Sequence, residues 1–268
     1  MTLIRSISAE SAKLFTLKTW WILLLVMVGY VGFTAALFAV IFSGLLGGVQ
    51  PLEGAAAAQA VYSAGSTIGY AFPVLVGAFL VTAEFRHGTL TPTFLATPSR
   101  GAVLGAKAIV AALIGAVFGL GMLLASVLPG AAILGATGNE TALGEGDVWA
   151  LFARTVLAMA IWAVLGLGLG SVFRNQVIVI VVVLAFTQFL EPILRVVLSF
   201  TDVSASFGQF LPGAASDALV GSGFMSMMMT GGAGPAGLDW WQGGLVLAGI
   251  AAVLVLIGAL TTWRRDVD

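Results

Sequence analysis

The fold class predicted by the sequence is an all-α membrane protein with six transmembrane helices. Three observations carry this. Hydrophobic residues fill 60% of the 268 positions and charged residues only 9%, with a mean hydropathy of +1.09. A water-facing surface on a chain of this size takes about 25% charged residues, so lipid must cover much of this one. Six apolar stretches have the length and composition for helices that cross a bilayer, which takes roughly 20 residues each. Finally, when the helices alternate across the membrane, lysine and arginine gather on one side.

In chain order, residues 1–18 come first. Leu3, Ile4, Ile7, Leu14 and Phe15 recur at helical spacing opposite Arg5, Ser8 and Lys13. That pattern predicts a helix lying in the membrane interface, with its apolar face in the acyl layer and its cations near anionic headgroups. The spans follow as Trp20–Leu46, Ser63–Ala83, Ala106–Leu128, Thr155–Phe173, Gln176–Leu190 and Trp241–Trp263. The fifth extends toward Phe200 past Glu191-Pro192, where proline lacks an N–H and is expected to bend the helix. Trp20, Trp21, Trp240, Trp241 and Trp263 stand at span ends, as interfacial aromatics do. Gly65/Gly69, Gly115/Gly119 and Gly166/Gly170 are small-xxx-small pairs that permit close helix approach.

With the N-terminus inside, Arg5, Lys13, Lys18, Arg86, Arg100, Lys107, Arg174, Arg264 and Arg265 fall on the inner side. Only Arg154 and Arg195 fall outside, and most acidic residues, Asp217 among them, fall outside or near the outer surface. The positive-inside rule then puts both termini in the cytoplasm. There is no cysteine and the one histidine is His87, so His- or thiolate-ligated metals and His-based triads have nothing to build on. Net charge is −1 with no basic tract, so nucleic acid is not an expected partner.

The inner loop over residues 84–107 is heavily punctuated. Gly88 suits a left-handed C-cap for the second span. Thr91-Pro92 predicts an N-cap and first turn for a short helix, which Pro98 would stop and after which Ser99 would cap the next span. That short helix carries Phe94 and Leu95, two large apolar side chains that either fold back on the bundle or fill a partner's groove. Gly101–Lys107 is not a P-loop, because Ala106 and Ala108 replace the required glycine and hydroxyl residue. No enzyme activity or cofactor site is therefore expected in this chain. Glu191 and Arg195, four apart, are placed to pair on one helix face, and with Pro192 they are candidates for an outer gate.

The stretch Glu84-x-Arg86-x-Gly88-Thr89, followed by Pro98-x-Arg100 and Lys107, resembles the inner-loop signature of ABC-2 type (type-2 exporter) permeases of prokaryotes. Glu10, Lys13 and Lys18 running into Trp20-Trp21, and Leu211-Pro212-Gly213 after the fifth span, are similar to the same family. The resemblance implies a permease in the bacterial cytoplasmic membrane that pairs with a second permease, either another copy of this chain or a related one. Each copy would bind a separate ATPase subunit that holds ATP and Mg. It implies ATPase contacts at Pro92, Phe94, Leu95 and Thr97, and a coupling network of Glu84, Arg86 and Arg100. It implies outer re-entrant helices within residues 200–240, before the last span. It also implies a substrate path between the first, second and fifth spans. The candidates along it are Phe33, Phe38, Phe42, Tyr70, Phe72, Phe186 and Phe189, whose apolar and aromatic character suits an amphipathic or hydrophobic substrate. Two other readings stay open: an ATP-independent secondary transporter or channel, against which only Gln188 is read as lying deep in a span, and a membrane scaffold or sensor.

Overall fold

A computed structural model of the protein describes residues 3–45, 54–96, 99–198, 207–221 and 237–261. Among them every regular element is helical: α1 Leu3–Thr16, α2 Thr19–Phe42, α3 Ala55–Gly69, α4 Ala71–His87, α5 Leu90–Ala96, α6 Arg100–Ala136, α7 Gly146–Phe173, α8 Gln176–Ala185, α9 Glu191–Leu198, α10 Pro212–Val220 and α11 Trp240–Thr261. A π-helical turn, Phe186–Leu190, joins α8 to α9. Six runs are long and apolar enough to cross a membrane: α2, α3–α4 (Ala55–His87), α6, α7, α8–α9 (Gln176–Leu198) and α11. The chain is a multi-pass membrane protein by this measure.

Several runs are longer than the sequence suggests. Pro129 was the expected end of the third span, yet α6 continues through it to Ala136. Proline there removes one hydrogen bond, and packing of the following turn, where Gly130 lies against Val61 and Tyr62, holds the helix on course. In α3–α4 the junction at Tyr70 keeps right-handed helical dihedrals, and Pro73 sits in the first turn of α4, where its missing N–H costs least.

The bundle is built around α7, which packs on α4, α6 and α11. Glycine sets these distances. A Cβ on Gly77 would overlap the Ala163 carbonyl, and one on Gly166 the Val74 carbonyl. On Gly170 it would stand 2.6 Å from the Ala78 carbonyl, and on Gly115 2.5 Å from that of Met159. Backbones this close gain dispersion contact along their length, the main attraction between helices in lipid. The pairs Gly115/Gly119 and Gly166/Gly170 both lie at such crossings, while Gly65 and Gly69 admit the side chains of Val31 and Met122.

The first helix, α1, forms as expected, and one of its faces packs on the bundle. Ser6, Glu10 and Leu14, one turn apart, are the buried residues, while Ile4 and Phe15 are exposed. Glu10 is drawn inward by a lysine of α6. The short helix α5 begins at Leu90, one residue before the expected cap at Thr91. The Thr93 N–H bonds back to the Thr89 carbonyl, and Pro92 falls within the first turn. Gly88 caps α4 at φ +65°, its N–H donating to the Glu84 carbonyl, and the Ser99 hydroxyl accepts from the Ala102 N–H at the head of α6.

Candidate functional site

At the end of the bundle where α1, α5 and the start of α6 meet the last turn of α4, four charges form a closed ring. Lys13 Nζ lies 2.7 Å from Glu10 Oε1 and 2.7 Å from Glu84 Oε1. Lys107 Nζ pairs with Glu10 Oε2 and lies 3.0 Å from Glu84 Oε2. Each lysine thus bridges both carboxylates, and positive and negative alternate around the ring. Two further donations fix it: Lys107 to the Leu80 carbonyl at 3.0 Å and Lys13 to the Thr93 hydroxyl of α5 at 3.1 Å. Glu10, Glu84 and Lys107 are buried, and only Lys13 is half open to its surroundings. Burial alone would lower the Lys13 pKa, but Glu10 and Glu84 outweigh it and the net shift is upward.

The sign of that shift gives a test. A raised folded-state pKa means that the Lys13 contribution is complete below its ordinary value of 10.5 and is lost as pH rises through the higher folded value. The difference in melting temperature between the protein and its Lys13→Met variant is expected to hold from pH 7 to 10.5 and to narrow above it. A constant difference up to the most alkaline pH tolerated would remove the ring's claim on Lys13.

Of the predicted coupling residues, the ring contains Glu84 alone. Arg86 is exposed and reaches Gln176 Oε1 at 3.5 Å, while Arg100 lies over the Phe94 ring, 5.2 Å from its centroid. The helix geometry explains the first: residues two apart do not share a face, so Glu84 and Arg86 point in different directions. Phe94 packs against the core, whereas Leu95 is 81% exposed and Pro92 is exposed beside it. Thr97 lies outside the described residues. Glu10, Lys13 and Lys107 were named in the sequence as parts of the resembling motifs, but not as partners of Glu84. The available signal was Lys107 itself, a charge inside the apolar run of α6, which needs carboxylates around it to be buried.

A second polar cluster lies farther into the bundle. Arg195 donates to Glu191 Oε1 at 2.8 Å, the expected pair, and also to Asp217 Oδ2 of α10 at 2.7 Å. The Ala214 N–H at the start of α10 donates to the same Glu191 oxygen at 3.1 Å, and the Thr67 hydroxyl of α3 to Asp217 Oδ1 at 3.3 Å. Trp162 of α7 donates its indole N–H to the Ser216 hydroxyl at 2.9 Å. Asp217 was expected near the outer surface. It is buried and bonded to Thr67 of α3, because α10 packs against α3, α7 and α11. Pro192 sits in the first turn of α9, directly after the π-helical turn, whose five-residue spacing absorbs the lost hydrogen bond.

The aromatic path candidates separate. Tyr70 is buried, stacked on Trp162 with centroids 4.4 Å apart and bonded to the Thr187 carbonyl, so it belongs to the core. Phe38 stacks on Phe42 at 5.9 Å, and Phe72 lies 6.4 Å from Tyr30. Phe186 is half-buried, and Phe33 and Phe189 are about 70% exposed on α2 and beside α9. Arg154 lies over the Trp240 ring at 4.8 Å, an anchor at a helix end. No family model matches the chain, and no curated protein matches it.

Proposed function

We propose that this chain is the permease subunit of an ATP-driven exporter of the ABC-2 type. It would work as a homodimer in the bacterial cytoplasmic membrane, with each copy bound to a separate ATPase subunit that holds ATP and Mg. The observation that carries the reading is the ring of Glu10, Lys13, Glu84 and Lys107. All four residues belong to the motifs that resemble those permeases, and they meet at one joint. Through Thr93 the joint also holds α5, the helix that offers Leu95 outward. A push on α5 or α1 would therefore reach α4 and α6 together rather than being lost in a loop. In this reading α1 lies in the inner interface with Ile4 and Phe15 toward lipid, α5 is the coupling helix, and both termini are cytoplasmic. α10, docked near mid-bundle, is one of the re-entrant helices. The least covered spans, α2, α8–α9 and α11, include those that would face the second copy and the substrate path. Phe33 and Phe189 are the candidates on those faces for an amphipathic or hydrophobic substrate.

Leu95→Asp tests the docking helix. An apolar anchor at an interface is worth about 2 kcal/mol or more, roughly a thirtyfold change in affinity. The variant is expected to lose a co-purifying ATPase in a mild-detergent pull-down while its melting temperature stays unchanged. Phe94→Asp is a poorer probe, because Phe94 also packs on the bundle. Undiminished ATPase recovery with Leu95→Asp would remove α5 as the docking element.

One observation favours a second reading, an ATP-independent carrier. Glu191, Arg195 and Asp217 place ionisable groups well inside the bundle, where such carriers hold their coupling ions. Transport by the purified chain in vesicles without any ATPase would establish that reading over the first.

A further inference from the structure

Around Arg195 the charges do not balance. Glu191 of α9 and Asp217 of α10 share this one cation, whereas the ring at Glu10 and Glu84 sets two lysines against two acids. Among the described residues no second cation pairs with either acid of the Arg195 cluster. The two acids also differ in how their oxygens are occupied. Asp217 Oδ2 accepts from Arg195 at 2.7 Å and Oδ1 from the Thr67 hydroxyl at 3.3 Å. Glu191 Oε1 accepts three N–H groups, two from Arg195 at 3.2 and 2.8 Å and one from Ala214 at 3.1 Å. Glu191 Oε2 is buried and accepts none, on a residue only 1% exposed. A charged oxygen held away from water with no donor is costly, and a carboxyl group so placed takes up a proton rather than keep its charge.

We propose that this cluster is a binding site for one proton, carried on Glu191 Oε2. Asp217 stays ionised as the counter-charge of Arg195, and the buried group as a whole becomes neutral. Glu191 Oε1, then the carbonyl oxygen of a neutral acid, still accepts from Arg195 and Ala214. An alkali cation would balance the count as well, but it must replace a whole shell of water oxygens, whereas a proton needs only the one free oxygen. Tyr70, the other titratable neighbour of Glu191, keeps its own proton on the Thr187 carbonyl at 3.2 Å. The bound proton acts as a fastener: its release would leave an uncompensated negative charge at the joint of α9 and α10, two helices tied together through Arg195. The inference concerns the charge state of the resting bundle, and it holds for the exporter and carrier readings alike.

Infrared spectroscopy of the full chain in detergent tests it without an ATPase or a substrate, because the C=O stretch of a neutral carboxyl stands apart from the bands of an ionised carboxylate. The protein is expected to show one neutral carboxyl per chain at neutral pH, and Glu191→Gln to lose it. Asp217→Asn is expected to lose it too, since Glu191 then gives up its proton to become the counter-charge of Arg195. Each single variant leaves the cluster neutral and is expected to melt close to the unaltered protein. The double variant leaves Arg195 buried without a counter-charge and is expected to melt roughly 10 °C lower. The absence of a neutral-carboxyl band, a band that survives either substitution, or one that emerges only when sodium and potassium are withdrawn would overturn the proposal. So would single variants that each cost as much as the double.

Discussion

Lys107→Met is expected to destabilise the bundle by about 3–5 kcal/mol, because it leaves two buried carboxylates sharing the single charge of Lys13. Lys107 is 1% exposed and reaches both Glu10 and Glu84, so neither carboxylate has water to turn to. Methionine keeps most of the volume, so the loss measures charge rather than a cavity. The arithmetic of the ring supplies its own control. Adding Glu10→Gln to Lys107→Met leaves one carboxylate, Glu84, with one lysine, Lys13, at 2.7 Å. That double variant is expected to recover a large part of the stability lost in the single one, a coupling of 1 kcal/mol or more between residues in contact. Denaturant or thermal unfolding in one detergent reads both variants. If the single variant melts with the unaltered protein, or the double is worse by the plain sum of the two changes, the ring is not acting as a unit.

Gly77→Ala and Gly105→Ala make the same chemical change with opposite expected signs. At Gly77 the new methyl would fall on the Ala163 carbonyl, where α4 and α7 cross. Backbone cannot step aside as a flexible side chain can, so the helices must part, at a cost of about 3 kcal/mol or more. At Gly105, in α6, a Cβ meets nothing within 4 Å. There the usual preference of a helix for alanine over glycine is unopposed, worth up to about 1 kcal/mol of added stability. Monodisperse yield and melting temperature of the two variants, side by side, decide it. Equal behaviour would mean that the α4–α7 contact is looser than its glycines indicate.

The sequence was most legible where the information is local. The six apolar runs, the left-handed cap at Gly88, the Ser99 cap and the Glu191–Arg195 pair all follow from spacings of four residues or fewer, or from composition over one span. The charge ring was not legible in that way. Glu10 and Lys107 are 97 positions apart and Lys13 and Glu84 are 71 apart, and no local periodicity joins them. Arg86 lies apart from Glu84 for a reason already present in helix geometry, since two residues on is nearly the opposite face. The partners of Asp217 were not legible either, because only the fold brings α10 against Thr67 and Trp162. Among the aromatic path candidates, Tyr70 differs from Phe33 by what lies opposite it, which one helix's pattern does not contain.

The π-helical turn at Phe186–Leu190 governs more than the bonding around Pro192. Val179, Val183, Thr187 and Glu191, each four residues after the last, are all buried. On an uninterrupted α-helix a step of four overshoots a full turn by about 40°, so such a series drifts round the cylinder. The wider turn takes up that drift and returns Glu191 to the side from which Val179 set out. The segment behaves as a phase corrector, and what the chain must keep is the wide winding of these five residues. Losing one residue between Phe186 and Leu190 would leave an ordinary helix with Glu191 still on that side, but winding all five residues as α-helix would rotate everything beyond them by about 100°. Glu191 and Arg195 would then swing away from Asp217, and α10 would lose the partners that hold it in the bundle.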